Sequence, residues 1–143
     1  MKISRETDYA VRCVLYLAKA GDRIAVVNDI AEACQIPKSF LSKILQSLTR
    51  AGIVRSHRGP RGGFRLARKA EDTSLLDVIV AIQGQVALNE CAVESRLCSR
   101  SGSCAVHPVW VKASRQVEQM LQEYDFGKLA REEDEGERRG RIS

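Results

Sequence analysis

Residues 28–67 read NDIAEACQIPKSFLSKILQSLTRAGIVRSHRGPRGGFRLA, and this stretch decides the fold. Asn28 to Cys34 reads as a short helix, with Ile30 and Ala31 inward and Asn28 as its N-cap. The turn Gln35-Ile36-Pro37 follows, and Pro37 suits the first position of a helix, where a missing N–H is no loss. A third helix then runs to about Ala51. Leu41, Ile44, Leu45 and Leu48 fall on one face of it, which leaves Lys38, Ser39, Ser42, Lys43 and Gln46 facing out. Two short helices joined by a tight turn, the second presenting small polar and basic side chains, form a helix-turn-helix pattern. Ile53 to His57 reads as a strand, Arg58 to Gly63 as a turn, and Phe64 to Ala67 as the returning strand. A hairpin directly after such a helix is the wing of a winged helix. Its glycines let the backbone approach phosphates, and its arginines suit a narrow, negative minor groove. An ordinary surface hairpin would not require three Arg in the eight residues from Arg58 to Arg65.

Working outward, Ser4 is a good N-cap followed by Glu6 and Asp8, where the helix dipole favours acids. Ala10, Val14, Leu17 and Ala18 then form a helical stripe, closed by Gly21. Ser74 and Asp77 are spaced like a capping box and open a fourth helix that stops at Gly84. Residues 88–107 lose helical periodicity. Pro108 starts a last helix to about Tyr124, with Ala113, Val117, Met120 or Leu121, and Tyr124 as its apolar stripe. A long amphipathic helix outside a small winged-helix core often pairs with its copy in a dimer. The tail REEDEGERRGRIS has one aliphatic residue, Ile142, and is expected to be disordered. The expected fold class is mainly α with a small β-hairpin wing. The expected division is 1–84 as a winged helix-turn-helix domain, 85–107 as a cysteine-rich loop, 108–130 as a dimerisation helix and following segment, and 131–143 as the tail.

A chain of 143 residues makes about one domain. No apolar run approaches the ~18 residues of a membrane span, and charges in MKISRETDYA stand where an export signal needs apolar residues. The expected location is therefore cytoplasmic, where thiols stay reduced. From Ala33 to Ala70 there is no Asp or Glu, but there are nine basic residues: Lys38, Lys43, Arg50, Arg55, Arg58, Arg61, Arg65, Arg68 and Lys69. Such a block points to a polyanion, double-stranded DNA first. Arg58 and Arg61 at the wing, with Lys38, Ser39, Ser42 and Lys43 on the third helix, are the expected DNA-contacting residues. There is no phosphate-binding loop, nucleophile elbow or pair of carboxylates beside a base, so an enzyme is not expected.

Five cysteines cannot all pair within one chain. Cys91, Cys98 and Cys104 are spaced C-x6-C-x5-C, and His107 follows at x2. Three thiolates and an imidazole can fill a zinc site or hold an iron–sulfur cluster. The spacing is wider than the usual zinc pattern and is not a ferredoxin spacing, so it favours a metal without choosing which. Cys13 and Cys34 fall within helices and read as structural, buried thiols.

Together these motifs resemble the Rrf-type winged-helix transcriptional regulators over roughly residues 1–130. The resemblance rests on Tyr9-Ala10-Val11-Arg12, Ile30-Ala31-Glu32, Leu41 to Leu48, Ala51-Gly52-Ile53-Val54, the wing from Arg58 to Phe64, and the three cysteines with His107 and Trp110. It implies a homodimer on a palindromic operator, each subunit holding one iron–sulfur cluster on Cys91, Cys98 and Cys104. In the IscR-like branch the fourth ligand is a histidine at the position of His107, with a 2Fe–2S cluster. In the NsrR-like branch it is an aspartate of the partner's first helix, at the position of Asp8, with a 4Fe–4S cluster. The sequence offers both, and His107 with 2Fe–2S is favoured. The C-x6-C spacing is one residue longer than the IscR arrangement, and Arg61 stands where the wing often has Gly. The alternative is a cluster-free DNA-binding regulator of the same fold that senses through thiols or a small ligand.

Overall fold

The computed structural model describes residues 2–88 and 104–142. The elements are α1 (Arg5–Ala20), α2 (Val27–Cys34), α3 (Lys38–Arg50), β1 (Val54–His57), β2 (Gly63–Leu66), a 3-10 turn (Ala70–Asp72), α4 (Leu75–Gln83), α5 (His107–Gln122) and α6 (Phe126–Ile142). This is the expected helical domain with one hairpin. Ser4 caps α1, its hydroxyl accepting the Thr7 N–H at 3.1 Å, and Gly21 at φ +62° ends it.

α2 starts earlier than expected. Val26, not Asn28, is its N-cap, and no side chain caps it. The reason lies in the sheet: Ala25 and Phe64 exchange two backbone bonds of 2.8 Å each, so strand pairing rather than a capping side chain sets the entry of α2. Likewise Pro37 is the N-cap of α3 and not its first residue. Val14, Leu17, Ile30, Leu41, Leu45, Leu48, Ile53, Val78 and Phe126 fill one core between α1 to α4 and the start of α6.

The hairpin register pairs Val54 with Leu66, Arg55 with Arg65, Ser56 with Phe64, and His57 with Gly63. Period-2 alternation turns Val54, Phe64 and Leu66 toward the core. Glycine is required at the top of β2. A Cβ on Gly63 would overlap the Ala25 carbonyl oxygen, and one on Gly62 would overlap that of His57.

α4 opens with the expected capping box. Ser74 Oγ accepts the Asp77 N–H at 3.1 Å, and the Asp77 carboxylate accepts the Ser74 N–H at 2.9 Å. α5 packs through Val117 and Leu121 on Leu76, Ile79 and Val86, a second small cluster. The expected stripe is thus shifted: Ser114 is buried, while Met120 and Tyr124 are exposed. Ser114 is accommodated because Oγ donates to the Trp110 carbonyl at 2.8 Å and accepts the Leu88 N–H at 3.0 Å.

The largest departure is the tail. Residues expected to be disordered continue α6 as far as Ile142. Composition missed the anchor upstream. Phe126 is fully buried, its N–H donates to the Thr73 carbonyl at 2.9 Å, and the Leu75 N–H donates to the Tyr124 carbonyl at 2.8 Å. The helix so fixed then lays Glu133, Asp134 and Glu137 around Lys19 of α1, at 3.4, 3.6 and 3.3 Å. Among the described residues no helix is long and apolar enough to cross a membrane.

Candidate nucleic-acid interface and metal-ligand segment

The amphipathic split of α3 sorts its side chains by function. Leu41, Ile44, Leu45 and Leu48 are buried, and Lys38, Ser39, Ser42, Lys43, Gln46 and Arg50 are exposed. Ser42 Oγ donates to the Lys38 carbonyl at 3.1 Å, which satisfies its proton and leaves its lone pairs outward. An open groove of about 670 Å³ separates α3 from the hairpin, with Gln46, Thr49 and Arg50 on one wall and Ser56 and Phe64 on the other. Arg58 and Arg61 are exposed at the hairpin tip. All six residues expected to touch DNA therefore stand in solvent, on α3 and on the hairpin tip.

Some features of this face escape a sequence reading. Phe40 is 40% exposed although large and apolar. It stacks at a tilt on Tyr9 with ring centroids 6.2 Å apart, and the Arg12 guanidinium lies 5.5 Å above the Tyr9 ring. The available signal was a Phe one residue off the buried stripe of α3. Thr49, Arg50 and Ser56 also line the groove, and only the register of the hairpin reveals that.

Of the metal-ligand candidates, Cys91 and Cys98 lie outside the described residues. Cys104 is half-buried, and His107 is the first residue of α5. His107 Nδ1, like His57 Nε2 in the hairpin, is buried and meets no hydrogen-bond partner among the described residues. A buried polar atom without a partner costs free energy, so this nitrogen is chemically suited to a ligand bond. Among the described residues no group of three ligating side chains is gathered. Asp8 is on the exposed face of α1, with its carboxylate 2.8 Å from Arg12.

Cys13 is fully buried. Burial, and then the neighbouring Cys34, push its thiol up to about 12. Cys34 is half-buried and donates to the Arg12 carbonyl at 3.6 Å, and burial raises its thiol too. Both stay protonated near neutrality and are poor nucleophiles or metal ligands, as structural cysteines should be.

The chain matches the Rrf2 family, described as "Iron-dependent Transcriptional regulator", over residues 3–132. Protein aau3 of Rhizobium meliloti (strain 1021) is 36% identical over 132 residues, covering 92% of this chain and 86% of that protein. Among solved structures, IscR of T. potens is similar with a TM-score of 0.73 and 25% identity, covering 95% of this chain and 90% of that one. CymR of B. subtilis, a global cysteine regulator, has a TM-score of 0.78 over 91% of this chain and 96% of its own, at 24% identity, which speaks for the fold alone. The matched family is one of transcriptional regulators. With its helix-turn-helix, its wing and this match across nearly its whole length, the chain belongs to the Rrf2 family of DNA-binding transcriptional regulators.

Proposed function

We propose that this chain is an iron–sulfur-dependent regulator that binds operator DNA as a homodimer. Lys38, Ser39, Ser42 and Lys43 enter the major groove, and Arg58 and Arg61 reach the flanking phosphates and minor groove from the wing. Cys91, Cys98, Cys104 and His107 hold the cluster, 2Fe–2S rather than 4Fe–4S. When bound, the cluster supplies a centre that iron loss, oxidation or nitric oxide can disrupt. The observation that carries this reading is Nδ1 of His107, buried and without a hydrogen-bond partner among the described residues, three residues after Cys104. Asp8 is the weaker fourth ligand, because its carboxylate would first have to leave Arg12. The homodimer is supported by α5. Val109 and Met120 are 56% and 51% exposed and share one flank of a helix that already covers α4 through Val117 and Leu121.

Visible absorption of the anaerobically purified protein tests the proposal. Cys91→Ala, Cys98→Ala and Cys104→Ala should each abolish it, His107→Ala should alter it, and Asp8→Ala should leave it unchanged. Loss with Asp8→Ala and indifference to His107→Ala would move the fourth ligand to the partner subunit and favour 4Fe–4S. A colourless wild type carrying stoichiometric zinc would replace the cluster reading by the cluster-free regulator. Sedimentation as a monomer, with and without cluster, would overturn the dimer.

A further inference from the structure

Arg55 and Arg65 lie directly opposite each other in the hairpin, on the face turned away from Val54 and Leu66. Like charges so placed are destabilising. Arg55 is exposed and Arg65 half-buried, and neither guanidinium has an ion-pair or hydrogen-bond partner among the described residues. Arg68 and Lys69 join them around one cleft of about 410 Å³ that runs to Gly21 at the end of α1. Two acids also line it, Asp22 and Glu71. Glu71 stands 4.0 Å from Arg131 of α6, and Arg68 reaches Asp77 at 3.5 Å in an exposed pair of little strength. Four cations against two acids leave the cleft positive, with the Arg55–Arg65 repulsion uncompensated.

We infer that this cleft binds phosphate groups of the DNA backbone where the duplex runs past the wing. The inference rests on the DNA-binding reading above and extends the contact surface beyond α3 and the wing tip. Continuity supports it. Arg55 is three residues from Arg58, about 10 Å along a strand. A duplex carries one phosphate per strand for every ~3.4 Å of axis, so that distance spans about three phosphates. Backbone engaged by Arg58 and Arg61 thus has its next phosphates beside Arg55 and Arg65, where they neutralise the facing guanidinium groups.

The test uses the full-length chain and a labelled duplex of ~30 base pairs, followed by fluorescence anisotropy between about 50 and 200 mM salt. The Arg55→Gln, Arg65→Gln double variant should bind more weakly, with a log–log salt slope shallower by about 1–2, at ~0.9 for each phosphate no longer neutralised. Its Tm should match or exceed wild type, because the repulsion is gone. The Arg55→Lys, Arg65→Lys variant should keep the wild-type slope. A Gln variant with wild-type slope and affinity overturns the inference, and so does one whose weaker binding follows a lowered Tm. Lys43→Ala and Arg58→Ala separate the two claims. If they weaken binding while the Gln variant does not, only the cleft assignment fails. If wild type itself binds no duplex, the DNA-binding reading fails.

Discussion

Replacing Phe126 by Ala tests whether α6 is docked. The side chain is fully buried, among the largest in the core, and it is the first residue of a helix whose later turns are almost wholly exposed. Truncating a buried Phe costs about 3–5 kcal/mol, from lost transfer energy and the cavity left behind. The two backbone bonds that join residues 73–75 to 124–126 survive the change, so the first turn keeps some order and the value should fall near the middle, about 4 kcal/mol. At roughly 3 °C per kcal/mol for a chain of this size, Tm falls by about 12 °C. Urea unfolding followed by far-UV circular dichroism gives the free energy directly. Lys19→Ala is the control. Its three acidic partners are 43–50% exposed, and such exposed pairs contribute about 0–1 kcal/mol. If Phe126→Ala stays within about 1 kcal/mol of wild type, α6 is not anchored there and the segment after Ala130 is the loose tail its composition suggests.

Other expectations follow from single features. Gly63→Ala places a methyl on the Ala25 carbonyl; the strand must shift, at about 1–3 kcal/mol, and duplex affinity should fall in parallel, so an unchanged urea midpoint would refute the contact. Burial holds the Cys13 thiol at about 12 against an ordinary 9.0, so the unfolded chain loses this proton first. The resulting stabilisation is complete below about pH 9 and declines toward pH 12 at about 1.4 kcal/mol per unit. Wild type should therefore lose about 2 kcal/mol more than Cys13→Ala between about pH 9 and 10.5, and equal losses would show that Cys13 is not buried as a thiol.

Local chemistry made most of the fold legible. Ser4, the Ser74–Asp77 box, the Leu41–Leu48 stripe and the glycine-rich wing each carry their structural reason within a few residues. What failed to show were the long-range terms. The start of α2 is set by Ala25 pairing with Phe64, nearly forty residues away. The order of α6 depends on Phe126 meeting a core built from α1 to α4. At the candidate site, spacing put Cys91, Cys98, Cys104 and His107 forward as candidate ligands but was silent on the metal, because softness and count of donors are common to zinc and iron–sulfur chemistry. The positive cleft behind the wing was legible as basic residues only; that Arg55 and Arg65 face each other is a fact of register.

The same long-range packing bears on how a signal at His107 would reach α3. α4 belongs to two apolar clusters at once: Leu76 and Ile79 are gripped by Val117 and Leu121 of α5, while Val78 sits in the core with α1 and α3. A helix wedged between two packed clusters moves as a unit, because close-packed interiors transmit displacement rather than absorb it. A change at the head of α5 would therefore be felt by α3 through α4. If the cluster reading holds, the ratio of duplex affinities with and without cluster expresses this coupling, typically 1–3 kcal/mol. Ile79→Val loosens the α4–α5 contact at a stability cost of about 0.5–1.5 kcal/mol, small enough to keep both forms folded. It should bring the two affinities closer together while leaving the mean affinity near wild type, since Ile79 belongs to the cluster shared with α5 and not to the exposed side of α3. An affinity ratio equal to that of wild type would show that α4 does not carry the coupling.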